Sequence, residues 1–200
     1  VVDAGTEMTY AHAYYASGFD KGGKTNYLET VTRAFLTGRE TITSAKGQKL
    51  GWNGRNGGKG ITKQAAIICS NWEKVIAEAV FKYAGSVYKD LENMKENTDD
   101  AKMFGKYVKH WGELKGFALA REAGKADRSA IANKLTGLMG YGPWLPNMSQ
   151  VVDVSANGNY VKDESSSLQS YQMHMLKIQK LMVDEFGIKA RNNDMLGSMG

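Results

Sequence analysis

Few residues in this 200-residue chain are equipped for chemistry. There are three histidines, His12, His110 and His174, one cysteine, Cys69, and a pair at helical spacing, His110 and Glu113, within KYVKHWGELKGFALA. On a helix, residues three or four apart share a face, so His110, Glu113 and Phe117 line one side of this segment. An imidazole and a carboxylate at i and i+3 are metal-ligand types, in the reverse order of the Glu-x-x-His pairs that project into di-metal bundles. The plainer alternative is an imidazole paired with Glu113 or with a backbone carbonyl, which serves only the fold. A composite site of His12, His110 and Glu113, with iron or zinc as the ion, requires the first and fourth helices to pack together. Hydrolysis would need such a metal or an activated nucleophile. The sequence has no HExxH and no serine on a strand-turn-helix signature, so no catalytic residue is assigned.

The remaining candidates are binding residues. The glycine-rich run LGWNGRNGGKG, residues 50–60, raises a phosphate loop, but the Walker spacing asks for glycine where Asn53 stands and for Ser or Thr where Gly60 stands. No acid occurs between Glu40 and Glu73, while Lys46, Lys49, Arg55, Lys59 and Lys63 accumulate there. Arg55, Lys59 and Lys63 are therefore an anion-binding candidate. The whole chain carries only +5, from 26 basic and 21 acidic residues, which argues against nucleic acid as the main partner. Ten Met, ten Tyr and four Trp exceed what a core of this size needs, and such surfaces favour protein contacts. A protein partner or self-association is expected, with Trp52, Trp144 and Met148 as contact residues. Cys69, in AAIICSNW, has no internal disulfide partner and is expected on a buried helical face as a small hydrophobe. His174, in QMHMLK, sits among apolar residues as a buried or interface histidine does.

Helices must position all of these. Two prolines against 23 glycines imply long elements joined by glycine-marked turns. No apolar run approaches the roughly 18 residues needed to span a bilayer. The expected fold is all-α, a single domain over residues 1–200 with about six helices and a long irregular loop between the last two. The first helix ends near Ser17. The second starts at Asn26, where Asn26 and Glu29 form a capping-box pattern, with Leu28, Val31, Phe35 and Ile42 inward. The third, from Thr62 to about Asn97, has an apolar stripe through Ile68, Trp72, Val75, Ile76, Ala79, Tyr83, Val87, Leu91 and Met94, with a kink or split at Gly85 and Ser86. The fourth runs from about Asp99 to Glu122, and a fifth, capped by Asp127, reaches Leu138. The loop from Tyr141 to Glu164 carries a short strand at Gln150–Val154 and a turn at Asn157-Gly158. The last helix begins after Asp163 to Ser167, shows Leu168, Tyr171, Met175, Ile178, Leu181 or Met182 and Phe186 at helical spacing, and ends at Gly187. The tail beyond it is expected to be polar and loose.

Three stretches in this order, TYAHAYYASGFD, AFLTGRETI and HWGELKGFALA, resemble the C-terminal half of the imelysin-like helical proteins of bacterial cell envelopes, in a branch of uncharacterised function. The resemblance covers about the first 120 residues and rests on short motifs at matching spacing. It implies an all-helical fold, export to the periplasm or outer-membrane surface, and an association with iron uptake. The family's G-x-H-x-x-E motif falls on His110 and Glu113, with Val108 in the glycine position. The start at Val1 fits a C-terminal part of a longer precursor. The expected function is a non-catalytic envelope protein that binds a partner or a metal ion. A structural subunit of an envelope or extracellular assembly is the alternative, and a metallopeptidase-like hydrolase is the second.

Overall fold

The computed structural model describes residues 11–48, 58–96, 101–122, 129–145, 150–163 and 167–199. Within them the chain is all-α, with α1 (Ala11–Asp20), α2 (Tyr27–Ser44), α3 (Gly58–Glu96), α4 (Ala101–Glu122), α5 (Ser129–Met139) and α6 (Leu168–Phe186). One hairpin, β1 (Gln150–Val154) with β2 (Tyr160–Asp163), and a closing 3-10 turn at Leu196–Met199 complete the elements. The residues form two compact units, 1–76 and 77–200, divided inside α3.

In the first unit α1 packs on α2. Ala16 and Phe19 are buried from α1, and Tyr27, Val31 and Ala34 from α2, the last three at i, i+4 and i+7. Phe35 and Ile42, expected inward, are each 57% exposed. Phe35 and Ile42 lie only about 40° and about 20° round the helix axis from Val31, so they follow the same apolar stripe and the periodicity alone does not account for their exposure. The N-terminus of α2 also differs from expectation. Asn26 Nδ2 donates to Glu29 Oε2 at 2.9 Å, but the Asn26 side chain makes no cap bond to the backbone. Asp20 does that work from the end of α1: Oδ1 accepts from Tyr27 N and Oδ2 from Leu28 N, both at 2.9 Å, and Thr25 Oγ1 donates to Oδ1 at 2.7 Å. A carboxylate there also suits the positive end of the helix dipole. Cys69, expected to be buried, is exposed. It follows Ile68 by one residue and so lies off the partly covered face of Ile68, Asn71 and Trp72.

In the second unit α4 packs on α5, α5 on α6, and α6 on the closing 3-10 turn. From Ala79 onward the α3 stripe lies where the periodicity puts it, with Ala79, Tyr83, Val87, Leu91 and Met94 all buried, whereas Ile68, Trp72 and Ile76 of the same stripe are only partly covered. There is no break at Gly85. Glycine is needed there for a different reason, because a Cβ on Gly85 would stand 1.9 Å from the Asn193 carbonyl oxygen and 2.6 Å from Gln179 Nε2. α6 begins and ends on its expected signals: Ser167 Oγ accepts from Ser170 N at 3.1 Å, and Gly187 takes the left-handed conformation at φ 56. Trp111 Nε1 donates to the Tyr171 hydroxyl at 2.8 Å, which donates to the Met139 carbonyl at 2.8 Å, linking α4, α6 and the end of α5.

The stretch between α5 and α6 holds a two-stranded antiparallel hairpin, of which only the first strand was expected. Val154 opposes Tyr160, and an irregularity falls between Val151 and Asp153. Its turn has Gly158 at φ 78, as the Asn-Gly signal demands. The tail is not loose. The fully buried Glu78 carboxylate accepts from Lys189 N at 2.8 Å, Ala190 N at 2.7 Å and Arg191 N at 2.9 Å. Gln179, also fully buried, donates to the Phe81 and Asn193 carbonyls and accepts from Met195 N.

Candidate functional site

Two helix faces in the second unit converge on one cavity. From α3 come Lys82, Tyr83, Ser86, Lys89 and Asp90; from α4 come Lys106, Lys109, His110 and Glu113; the docked tail adds Asn193. The spacing explains the meeting: 82, 86 and 89/90 repeat at i, i+4 and i+7/8, and 106, 109/110 and 113 repeat at i, i+3/4 and i+7, each one stripe of a helix. The cavity measures about 390 Å³, at the low end of the roughly 300–1,000 Å³ range of small-molecule sites.

At its centre the Asp90 side chain, 3% exposed, meets His110 Nδ1 at 2.5 Å through Oδ2. With a carboxylate as acceptor, Nδ1 carries the proton, which leaves Nε2 as the ring nitrogen for a ligand. The His110 ring lies 6.1 Å from the Tyr83 ring, which stacks at 5.7 Å on Phe117. Aromatic packing and a buried carboxylate thus fix both ring plane and tautomer. Lys106 Nζ reaches Asp90 Oδ1 at 3.3 Å, but at 60% exposure this pair contributes little. Among the described residues four lysines and two carboxylates line the cavity, a formal excess of two positive charges with His110 counted as neutral. Among the described residues Lys89, Lys109 and Glu113 form no ion pair. Ser86 Oγ donates to the Lys82 carbonyl at 3.1 Å and accepts from Asn193 Nδ2 at 2.9 Å. Its proton is therefore committed away from His110.

His110 and Glu113 share this cavity, while His12 belongs to the first unit, its ring 5.4 Å from that of Trp72. Burial pushes the His12 pKa below 6.5. Among the described residues no group of three or more His, Cys, Asp or Glu is placed to hold a metal ion. His110 and Glu113 alone are short of the three or four protein ligands of zinc sites, and the surrounding lysines oppose a cation. His174 packs edge-on against Tyr171 at 6.2 Å. Trp144 is buried, 8% exposed. Trp52, Met148 and Arg55 lie outside the described residues, as does the side chain of Lys59, while Lys63 is exposed on α3. Burial pushes the Tyr107 and Tyr171 phenols well above the ordinary tyrosine range, so both stay protonated as structural groups.

The residues missed from sequence are Asp90, the four lysines and Asn193. The first five were readable, since KYAGSVYKD and KYVKHWGE place lysines on the same helical stripes as Asp90 and His110. Asn193 carries no such signal. The fold and this cavity define an all-helical protein with a basic, histidine-centred pocket. No protein-family model, curated protein or solved structure matches the chain.

Proposed function

We propose that this is a non-catalytic helical binding protein of the bacterial cell envelope, imelysin-like as its sequence stretches suggest, and that the cavity around His110 is its binding centre. The observation that carries the reading is the pair of Asp90 and His110 at 2.5 Å. A nearly buried carboxylate that fixes an imidazole through Nδ1 prepares Nε2 to meet a ligand. The Ser86 hydroxyl in the cavity is bonded to the Lys82 carbonyl rather than to an activating base. The envelope setting, the link to iron uptake and a protein partner or self-association follow from the sequence resemblance and composition, and no described helix is long and apolar enough to cross a membrane.

The test is nuclear magnetic resonance of the His110 ring during titration with small-molecule and metal panels, together with fractionation of cells producing the protein. A ligand that shifts the Nε2 resonance saturably, in envelope-fraction protein, is the expected result. Turnover of a peptide substrate that is lost in His110→Ala refutes the non-catalytic reading.

A further inference from the structure

We propose that the His110 cavity takes a small organic dianion of the phosphomonoester type. This rests on the reading of that cavity as the binding centre and names its ligand class. Asp90 already faces His110 and Lys106, so its oxygens are engaged within the protein, and its charge is already counted against the lysines of the cavity. Among the described residues Glu113 is the one other carboxylate lining the cavity, which Lys89 and Lys109 also line, and Lys82 Nζ lies over the Tyr83 ring at 4.9 Å. Such a site repels a divalent cation and attracts an anion, and its partly enclosed walls strengthen the attraction over that of open surface lysines. Lysine ammonium groups on flexible stems are suited to a compact phosphate as point charges, and an oriented imidazole adds a directional donor when it is protonated.

The rest of the cavity shapes the remainder of the ligand. At about 390 Å³ it exceeds the need of a bare oxyanion and suits a small molecule attached to one. Glu113 and the Asn193 amide supply polar partners of the opposite kind, fitted to hydroxyl or amino donors on that remainder. Inorganic phosphate shares the anionic pole but offers no such donors, so it should bind more weakly than a hydroxylated phosphomonoester.

The closing experiment is calorimetric titration of the whole chain with glycerol phosphate, inorganic phosphate, glycerol and zinc chloride, at low and high salt, with the His110 ring resonance followed in parallel. Glycerol phosphate should bind saturably, weaken as salt rises, and shift the His110 ring. The double variant Lys89→Met, Lys109→Met keeps the stems of two exposed side chains and so should fold. Its dissociation constant should rise about tenfold or more, while Lys180→Met, which breaks only the exposed pair with Asp184, should leave binding unchanged. No saturable binding of glycerol phosphate, or equal binding by the wild type and the double variant, overturns the proposal. In that event a zinc-induced shift of His110 would still leave the binding-centre reading standing, and the two failures are thereby separated.

Discussion

Replacing Glu78 tests the claim that one buried carboxylate holds the C-terminal segment in place. Glu78 is fully buried, and its two oxygens accept three backbone N–H groups, from Lys189 and Ala190 on Oε1 and from Arg191 on Oε2. Hydrogen bonds to a charged acceptor contribute about 1.5–3 kcal/mol each, and an orphaned buried donor costs about 1–3 kcal/mol. In Glu78→Ala all three donors lose their acceptor. The segment lies beyond the last helix and can lift off into water, so the loss is limited to what docking contributes, about 2–4 kcal/mol. Glu78→Gln keeps one oxygen and sets an amide NH2 against a backbone N–H, for a smaller loss of about 1.5–3 kcal/mol. The assay is urea denaturation combined with amide hydrogen exchange. Exchange at Lys189, Ala190 and Arg191 should accelerate by about 10²-fold or more in Glu78→Ala, ahead of any change in the α6 core. Unchanged exchange at those three amides, with stability within about 0.5 kcal/mol of wild type, refutes the reasoning.

Three further outcomes follow from the described contacts. Gly85→Ala should lower the melting temperature: the helix gains about 1 kcal/mol of propensity, but a Cβ 1.9 Å from the Asn193 carbonyl oxygen cannot be accommodated without moving backbone, at about 1–3 kcal/mol or more. A raised melting temperature would show that the tail does not lie there. Asp20→Ala should cost about 1–2 kcal/mol as a lost helix cap, whereas Asn26→Ala, with no cap bond to lose, should cost a few tenths; equal losses by urea denaturation would contradict the assignment. The His12 pKa is lowered by burial, so the unfolded chain binds the proton more readily, and the first unit should lose stability as pH falls below about 6.5. His12→Phe should flatten that dependence in denaturation curves taken from about pH 7.5 to pH 5, and an unaltered slope would place its origin elsewhere.

What was legible in the sequence was mostly local. The α3 stripe and the whole of α6, from Ser167 to Gly187, could be read because a regular apolar repeat and standard terminal residues describe the same helix. Phe35 and Ile42 were misjudged because they share the stripe of Val31, and a periodic pattern does not say which turns of α2 a neighbour covers. Asp20 as the cap of α2 was hidden by the intervening turn, since the capping side chain precedes its helix by seven residues. The hairpin turn announced itself through Asn157-Gly158, but Tyr160–Asp163 is short and partly charged, a weak strand pattern. At the site, His110 and Glu113 were visible as a pair, whereas Asp90, twenty residues earlier, became part of the cavity only through helix packing.

The attachment of the tail also bears on the order of folding. Glu78 is separated from its donor at Lys189 by 111 positions, and Gln179 must bridge the Phe81 carbonyl, 98 positions away, to Met195. As the chain emerges from the ribosome, α3 can coil from its own local bonds, yet its carboxylate at Glu78 has no native donors until α6 and the following residues are made. Closing so long a loop is entropically slow, so the tail should dock last, after α4, α5 and α6 have packed. Because Asn193 reaches the cavity only through that docking, the basic pocket is complete only once residues 189–195 are in place, and a chain stopped short of Lys189 would present the lysines without Asn193.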